Sequence, residues 1–189
     1  MLKIFHKILP DDFDYSNQDH LYTLMPENIK AILSEKKSKK RMLSLIGWKL
    51  LLDNLPDSAL LAKVAFEEKG KPFIPNSNIH FNISNTKGIV VLALHNKPVG
   101  IDVEHLRKPN EIIFPRVFCE DEIQSIKCSE DFTILWTRKE AVVKLFGGGI
   151  SMGLSNFSVL DDCIDVFGRK VHLSSVEFIG YISHLAFYD

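Results

Sequence analysis

The most strongly patterned stretch of the chain lies between residues 132 and 146. Phe132, Leu135, Trp136, Val143 and Phe146 recur at helical spacing and predict one buried helix face. A polar row of Thr133, Thr137, Glu140 and Lys144 runs beside it. Residues three and four apart stack on one side of a helix, so Glu140 and Lys144 can act on the same small volume. Gly147-Gly148-Gly149 ends the pattern, as a left-handed glycine caps a helix well. Upstream, Met42, Leu43, Leu45, Ile46, Leu50, Leu51 and Leu52 mark a second long buried helix with Gly47 inside it. Pro26-Glu27 opens a shorter one, because proline suits a first turn and an acid suits the positive helix end.

Strand signals fall between these helices. The first ten residues read as a strand, as do Val64-Ala65-Phe66 and the segments 79–84, 89–95 and 99–104. Asn85-Thr86-Lys87-Gly88 and Asn96-Lys97-Pro98 read as turns, so the last three strands are expected to form an antiparallel meander. After Pro109, helical segments at 111–117 and 120–126 precede the long helix. Segments 157–160, 171–173, 176–179 and 182–187 then read as closing strands. Helix plus meander, twice, gives an expected α+β fold of two related lobes, 1–105 and 106–189.

Composition narrows the function classes. The 189 residues are 46% hydrophobic and 25% charged, with a net charge of -1, which is enough chain for one large domain or two small lobes. Near-neutral charge argues against bulk binding to nucleic acid, so a charged ligand must meet a local patch. Cys119, Cys128 and Cys163 are odd in number and lack metal-type spacing, which fits reduced thiols in a cytoplasmic protein. No apolar run approaches the ~20 residues of a membrane span, and the first ten residues are broken by charge and proline too early for a secretory signal.

Two clusters carry candidate chemistry. Alternation in Gly100-Ile101-Asp102-Val103-Glu104 puts Asp102 and Glu104 on one strand face, ~7 Å apart, where they repel unless a cation or solvent screens them. A solvent-facing strand explains the same alternation. The run Glu35-Lys36-Lys37-Ser38-Lys39-Lys40-Arg41 reads either as a solvated basic face or as an anion clamp, with Arg41 favoured for its two-pronged guanidinium.

Taken as a set, these residues resemble the single-chain, surfactin-type 4'-phosphopantetheinyl transferases. The matching pieces are Gly70-Lys71-Pro72, Phe81-Asn82-Ile83-Ser84, Gly100-Ile101-Asp102-Val103-Glu104, Phe118 with Glu122, and Trp136 followed by Lys139-Glu140-Ala141 and Lys144. Gly147-Gly148-Gly149-Ile150-Ser151 and Phe157-Ser158-Val159 extend the match over roughly residues 41–160. The resemblance implies two similar lobes in a pseudo-twofold arrangement, each a helix packed on a small antiparallel sheet, with coenzyme A in the cleft between them. It implies transfer of the 4'-phosphopantetheine arm of coenzyme A to a serine of an apo acyl or peptidyl carrier protein, releasing 3',5'-ADP. Asp102, Glu104 and Glu140 are then the expected Mg²⁺ ligands, Glu140 the base, and Lys144 the group that steadies the pyrophosphate. Lys71 and Pro72 match the loop beside the adenine, Arg41 a basic residue near the 3'-phosphate, and Ser84 and Asn85 further phosphate contacts. Asn85 stands where many relatives carry histidine, and an amide donates a hydrogen bond without carrying charge. A monomer is expected, with no nucleic acid or membrane partner. A coenzyme A-binding module without turnover and a metal-dependent phosphohydrolase are the alternative readings.

Overall fold

A computed structural model describes residues 1–17, 19–149 and 152–188. The chain divides into two compact units, Met1–Asn96 and Lys97–Asp189, both mixing helices with antiparallel sheet.

In the first unit, β1 (Lys3–Ile8), β4 (His80–Thr86) and β5 (Ile89–His95) form a sheet in the order β1-β5-β4. Strand β5 is central and apolar up to its last residue, His95, and Ile89 to Ala93 are completely buried. The β4–β5 turn is tighter than the sequence implies. Asn85 and Thr86 remain in the ladder, opposite Val90 and Ile89, and Gly88 takes the positive φ of 82°. Helices α1 (Asp19–Thr23), α2 (Glu27–Ser34) and α3 (Ser38–Asn54) precede the two-residue strands β2 (Ala65–Phe66) and β3 (Pro72–Phe73). The unit's largest hydrophobic core gathers Ile29 and Leu33 of α2, Leu45, Trp48 and Leu51 of α3, and Phe81 and Leu92 of the sheet. Helix α3 can lie close to the sheet because Gly47 has no side chain. A Cβ there would sit 2.6 Å from Ile83 Cγ2.

In the second unit, β6 (Val99–Glu104), β7 (Cys163–Val166), β8 (Arg169–Ser175) and β9 (Ile182–Tyr188) form a sheet in the order β6-β9-β8-β7. The expected meander is corrected here. Strand β6 pairs with β9, eighty residues on, with Asp102 opposite His184, instead of continuing the β4–β5 ladder. Local turn chemistry at Asn96-Lys97-Pro98 set a reversal but could not name the partner strand. Helices α4 (Phe114–Val117), α5 (Glu120–Ser125) and α6 (Ser129–Phe146) complete the unit. Helix α6 packs against β6 and β9, and Gly147 caps it at φ 71° by donating to Val143 O at 2.9 Å.

Two further strand expectations are corrected. Segment 157–160 belongs to no strand, although Phe157 and Val159 are buried. Its backbone is satisfied by side chains: Lys139 donates to Phe157 O, and Arg138 Nε donates to Val159 O at 2.5 Å. Glu122 Oε1 accepts from Val159 N–H at 2.7 Å. Segment 176–179 also stays outside the strands and contributes one bridge, Phe178 to Tyr181. Strand β7, which the two aspartates before it obscured in the sequence, takes its place in the sheet.

Candidate functional site

Four expected site residues meet in the second unit. Strand β6 delivers Asp102 and Glu104, while α6 delivers Glu140 and Lys144 one turn apart. The approach depends on Gly100. A Cβ on it would lie 3.0 Å from Leu145 Cα and closer still to the Ala141 carbonyl and the Leu145 amide. Strand and helix backbones therefore run in direct contact beside the acids.

Asp102 does not sit on a solvated strand face. It is 5% exposed, and its Oδ1 accepts from Lys144 Nζ at 2.6 Å. Glu104 accepts from Arg107 Nη1 at 3.0 Å. Each β6 carboxylate thus has its own cation. Glu140 differs, having no hydrogen-bond or ion-pair partner among the described residues. Burial pushes its carboxyl above the usual glutamate range, and Asp102 and Glu104 push it further, against the opposing pull of Lys144 and Arg107.

The polar row of α6 is not a solvated stripe. Thr133 and Thr137 are fully buried. Thr137 Oγ1 donates back to Thr133 O at 2.9 Å and meets His184 Nδ1 at 2.7 Å. Burial, with Arg138 nearby, lowers the His184 pKa to about 4, so the ring is neutral at ordinary pH. Sequence reasoning passed over His184 and Arg107, which stand outside the periodic stripe; only pairing across the sheet and against α6 brings them to the acids.

Phe118, Glu122 and Lys139 are scaffold. Lys139 Nζ and Glu122 form an ion pair at 2.9 Å with side chains 1% and 0% exposed. Lys139 also donates to Leu154 O at 2.8 Å, and Glu122 Oε2 accepts from Cys119 N–H at 2.8 Å. Burial draws the lysine below its ordinary range and Glu122 draws it back. The pair ties α5, α6 and segment 154–159 together.

The remaining expected residues lie in the first unit. A pocket of about 180 Å³ is lined by Ile32, Lys36, Ser44, Trp48, Phe66, Gly70, Pro72, Asn82, Ile83 and Asn85. Pro72 and Asn85 are therefore brought together. Lys36 joins them unforeseen, donating to Ser44 Oγ at 2.7 Å, and burial and Lys40 lower its pKa. Arg41 faces elsewhere: its guanidinium donates to Leu33 O at 2.9 Å and Ser34 O at 3.1 Å, closing the C-terminal end of α2. Lys71 and Ser84 lie beside the pocket in sequence without lining it. Burial lowers the Lys71 pKa, and Ser84 is 3% exposed. The Ile150-Ser151 end of the expected glycine tail lies outside the described residues.

A strand bearing two acids laid along a helix bearing Glu140 and Lys144 falls in a segment of known kind. Residues 98–178 match the 4'-phosphopantetheinyl transferase superfamily. Among similar proteins are the 4'-phosphopantetheinyl transferase of Bacillus subtilis, 36% identical over 100 residues (49% of this chain, 45% of that one), and 4'-phosphopantetheinyl transferase psf-1 of Bacillus pumilus, 39% identical over 99 residues (49% and 42%). A longer match, to 4'-phosphopantetheinyl transferase gsp of Aneurinibacillus migulanus, is 31% identical over 143 residues, covering 72% of this chain and 56% of that one. The chain spans about half the length of the curated relatives it matches. The resemblance to surfactin-type transferases is thus shown. Among the described residues no helix is long and apolar enough to cross a membrane.

Proposed function

We propose that this protein transfers the 4'-phosphopantetheine arm of coenzyme A to a serine of an apo acyl or peptidyl carrier protein, releasing 3',5'-ADP. The observation that carries the reading is Glu140, a half-buried carboxyl raised in pKa by desolvation and then by two neighbouring acids, with two cations nearby, on the helix of the matched family segment. A base is most effective when its pKa lies near the working pH, and a raised glutamate moves in that direction.

In this reading the serine Oγ attacks the phosphorus bearing the pantetheine arm. Its proton passes to a Glu140 oxygen, and the bond to the oxygen of 3',5'-ADP breaks. Lys144, one turn along α6, leaves Asp102 to stabilise the negative charge that grows on the leaving phosphate. Three carboxylates are oxygen donors suited to Mg²⁺, and the upward push of Asp102 and Glu104 on Glu140 marks a place where a cation relieves repulsion. Among the described residues no three acidic, histidine or cysteine side chains already surround a common point. The fit is therefore to an ion held by one or two carboxylates plus substrate oxygens, which is how Mg²⁺ is commonly bound. Asp102, Glu104 and Glu140 would hold it. When bound, such an ion neutralises pyrophosphate charge and orients the reacting phosphorus.

The pocket beside Pro72 and Asn85 is smaller than the ~300 Å³ typical of sites for whole ligands. It suits one moiety of the nucleotide, with Lys36 and the Asn85 amide as donors to phosphate. Arg41, Lys71 and Ser84 are assigned to the same end of coenzyme A on the sequence resemblance. We take the protein to act as a monomeric cytoplasmic transferase. The test is the intact mass of an apo carrier protein after incubation with this protein, coenzyme A and Mg²⁺. A gain of one phosphopantetheine, abolished by chelator and by Glu140→Gln, is expected. No gain with carriers of several pathways would overturn the reading.

A further inference from the structure

Arg107 follows β6 by three residues and is gripped at three points. Its backbone N–H donates to Thr133 Oγ1 at 2.9 Å, its guanidinium lies 4.5 Å from the centre of the Trp136 ring, and Nη1 donates to Glu104 Oε1 at 3.0 Å. Thr133 and Trp136 are both on α6, so the strand's second carboxylate is tethered to the helix that carries Glu140. The arginine and glutamate side chains are 39% and 24% exposed. An ion pair that wet adds little to folding stability, so stability does not account for this degree of fixation. A lysine could match the charge but could not lie flat on the indole while presenting a planar fork to a carboxylate. Trp136, meanwhile, is only partly buried and uses its ring as the platform for that fork.

We propose that Arg107, seated on Trp136, is a positioning residue that presents the Glu104 carboxylate to the cation of the phosphopantetheine-transfer site. This rests on the reading of that site given above. Lys144 and Arg107 then divide the work. Lys144 pairs with Asp102 at 2.6 Å and serves phosphate in the transfer step, whereas Arg107 is held on Trp136 and stays with Glu104. The arrangement removes a rotational choice from Glu104 before the ion arrives, and partners at this remove typically change metal affinity ~10- to 100-fold.

The experiment is titration of Mn²⁺ into the full chain with coenzyme A present, read by electron paramagnetic resonance, for the parent, Arg107→Ala, Arg107→Lys and Trp136→Leu. Arg107→Ala is expected to weaken Mn²⁺ binding ~10-fold or more, with Arg107→Lys and Trp136→Leu falling between it and the parent. In the transfer assay, Arg107→Ala should raise the KM for Mg²⁺ while kcat recovers at saturating Mg²⁺, a split that simple unfolding would not produce. Mn²⁺ affinity unchanged in Arg107→Ala, in a parent that binds the ion, overturns the proposal and leaves the transferase reading standing. A parent that binds no Mn²⁺ overturns it together with the metal assignment, and the mass assay then judges transfer separately.

Discussion

Gly100→Ala tests the packing on which the whole acidic site depends. The added methyl carbon would meet Leu145 Cα at 3.0 Å and approach the Ala141 carbonyl and the Leu145 amide still more closely. All three are helix backbone, so no side chain can rotate out of the way. Ordinary heavy-atom contacts need ~3.5 Å or more, so α6 and β6 must part by about 1 Å. Overpacking of this kind costs ~1–3 kcal/mol, which for a chain of this length lowers Tm by about 3 to 10 °C. The same shift separates residues that flank the contact, Asp102 on one side and Lys144 on the other, whose 2.6 Å bond has no slack. A displacement near 1 Å in catalytic geometry costs on the order of 100-fold in rate. The assay pairs thermal melting by circular dichroism with the initial rate of carrier modification by intact mass. Gly168→Ala is the control: its φ of 77° penalises alanine, but no atom lies within 4 Å of the new Cβ. It should lower Tm without slowing transfer. Parent-like Tm and rate in Gly100→Ala would refute the claim that this backbone contact sets the site.

Other outcomes follow from the same geometry. The folded His184 pKa of about 4 lies below the ordinary 6.5, so the unfolded chain takes up the proton first. Its contribution is complete above pH ~6.5 and is lost as pH falls toward 4, by at most ~3 kcal/mol; urea melts at pH 4.5 and 7 should show a smaller acid loss in His184→Asn than in the parent. Glu140 has the opposite sign. Its pKa is raised, so the stability tied to its neutral form fades as pH rises through the folded value. Glu140→Gln should therefore melt at or above the parent Tm at pH 8 while transferring nothing, and a lower Tm would count against the raised pKa. Lys139→Met leaves Glu122 charged, buried and short of its cation, with an expected loss of ~3–5 kcal/mol in urea denaturation; adding Glu122→Gln should recover part of it. Ile112 is 88% exposed, in the segment 109–129 where we place the docking of the carrier protein. Ile112→Asp should raise the KM for carrier with little change in Tm, and an unchanged KM removes this segment from the docking surface.

The sequence by itself determined the elements whose signals are local. Helix α6 was legible from its apolar spacing and its glycine stop, and α3, β1, β4, β5, β6 and β9 from period and turn residues, because side-chain periodicity is a property of the backbone geometry alone. The acids, Glu140 and Lys144 were legible too, as a strand pair and a helix pair of matching chemistry. Tertiary structure decided who meets whom. Nothing local in residues 99–104 says that their partner is β9, since the free energy of that pairing comes from apolar surface contributed far along the chain. Segment 157–160 has a strand's composition, yet the buried Lys139, Arg138 and Glu122 side chains satisfy its backbone instead of a neighbouring strand. The same long-range packing turned Thr133 and Thr137 inward, set Arg107 on Trp136 and Glu104, and sent Arg41 to the end of α2. It also left Glu140 as the one acid of the cluster with no direct counter-ion among the described residues, a distinction set by burial and neighbouring charge and therefore absent from any linear pattern.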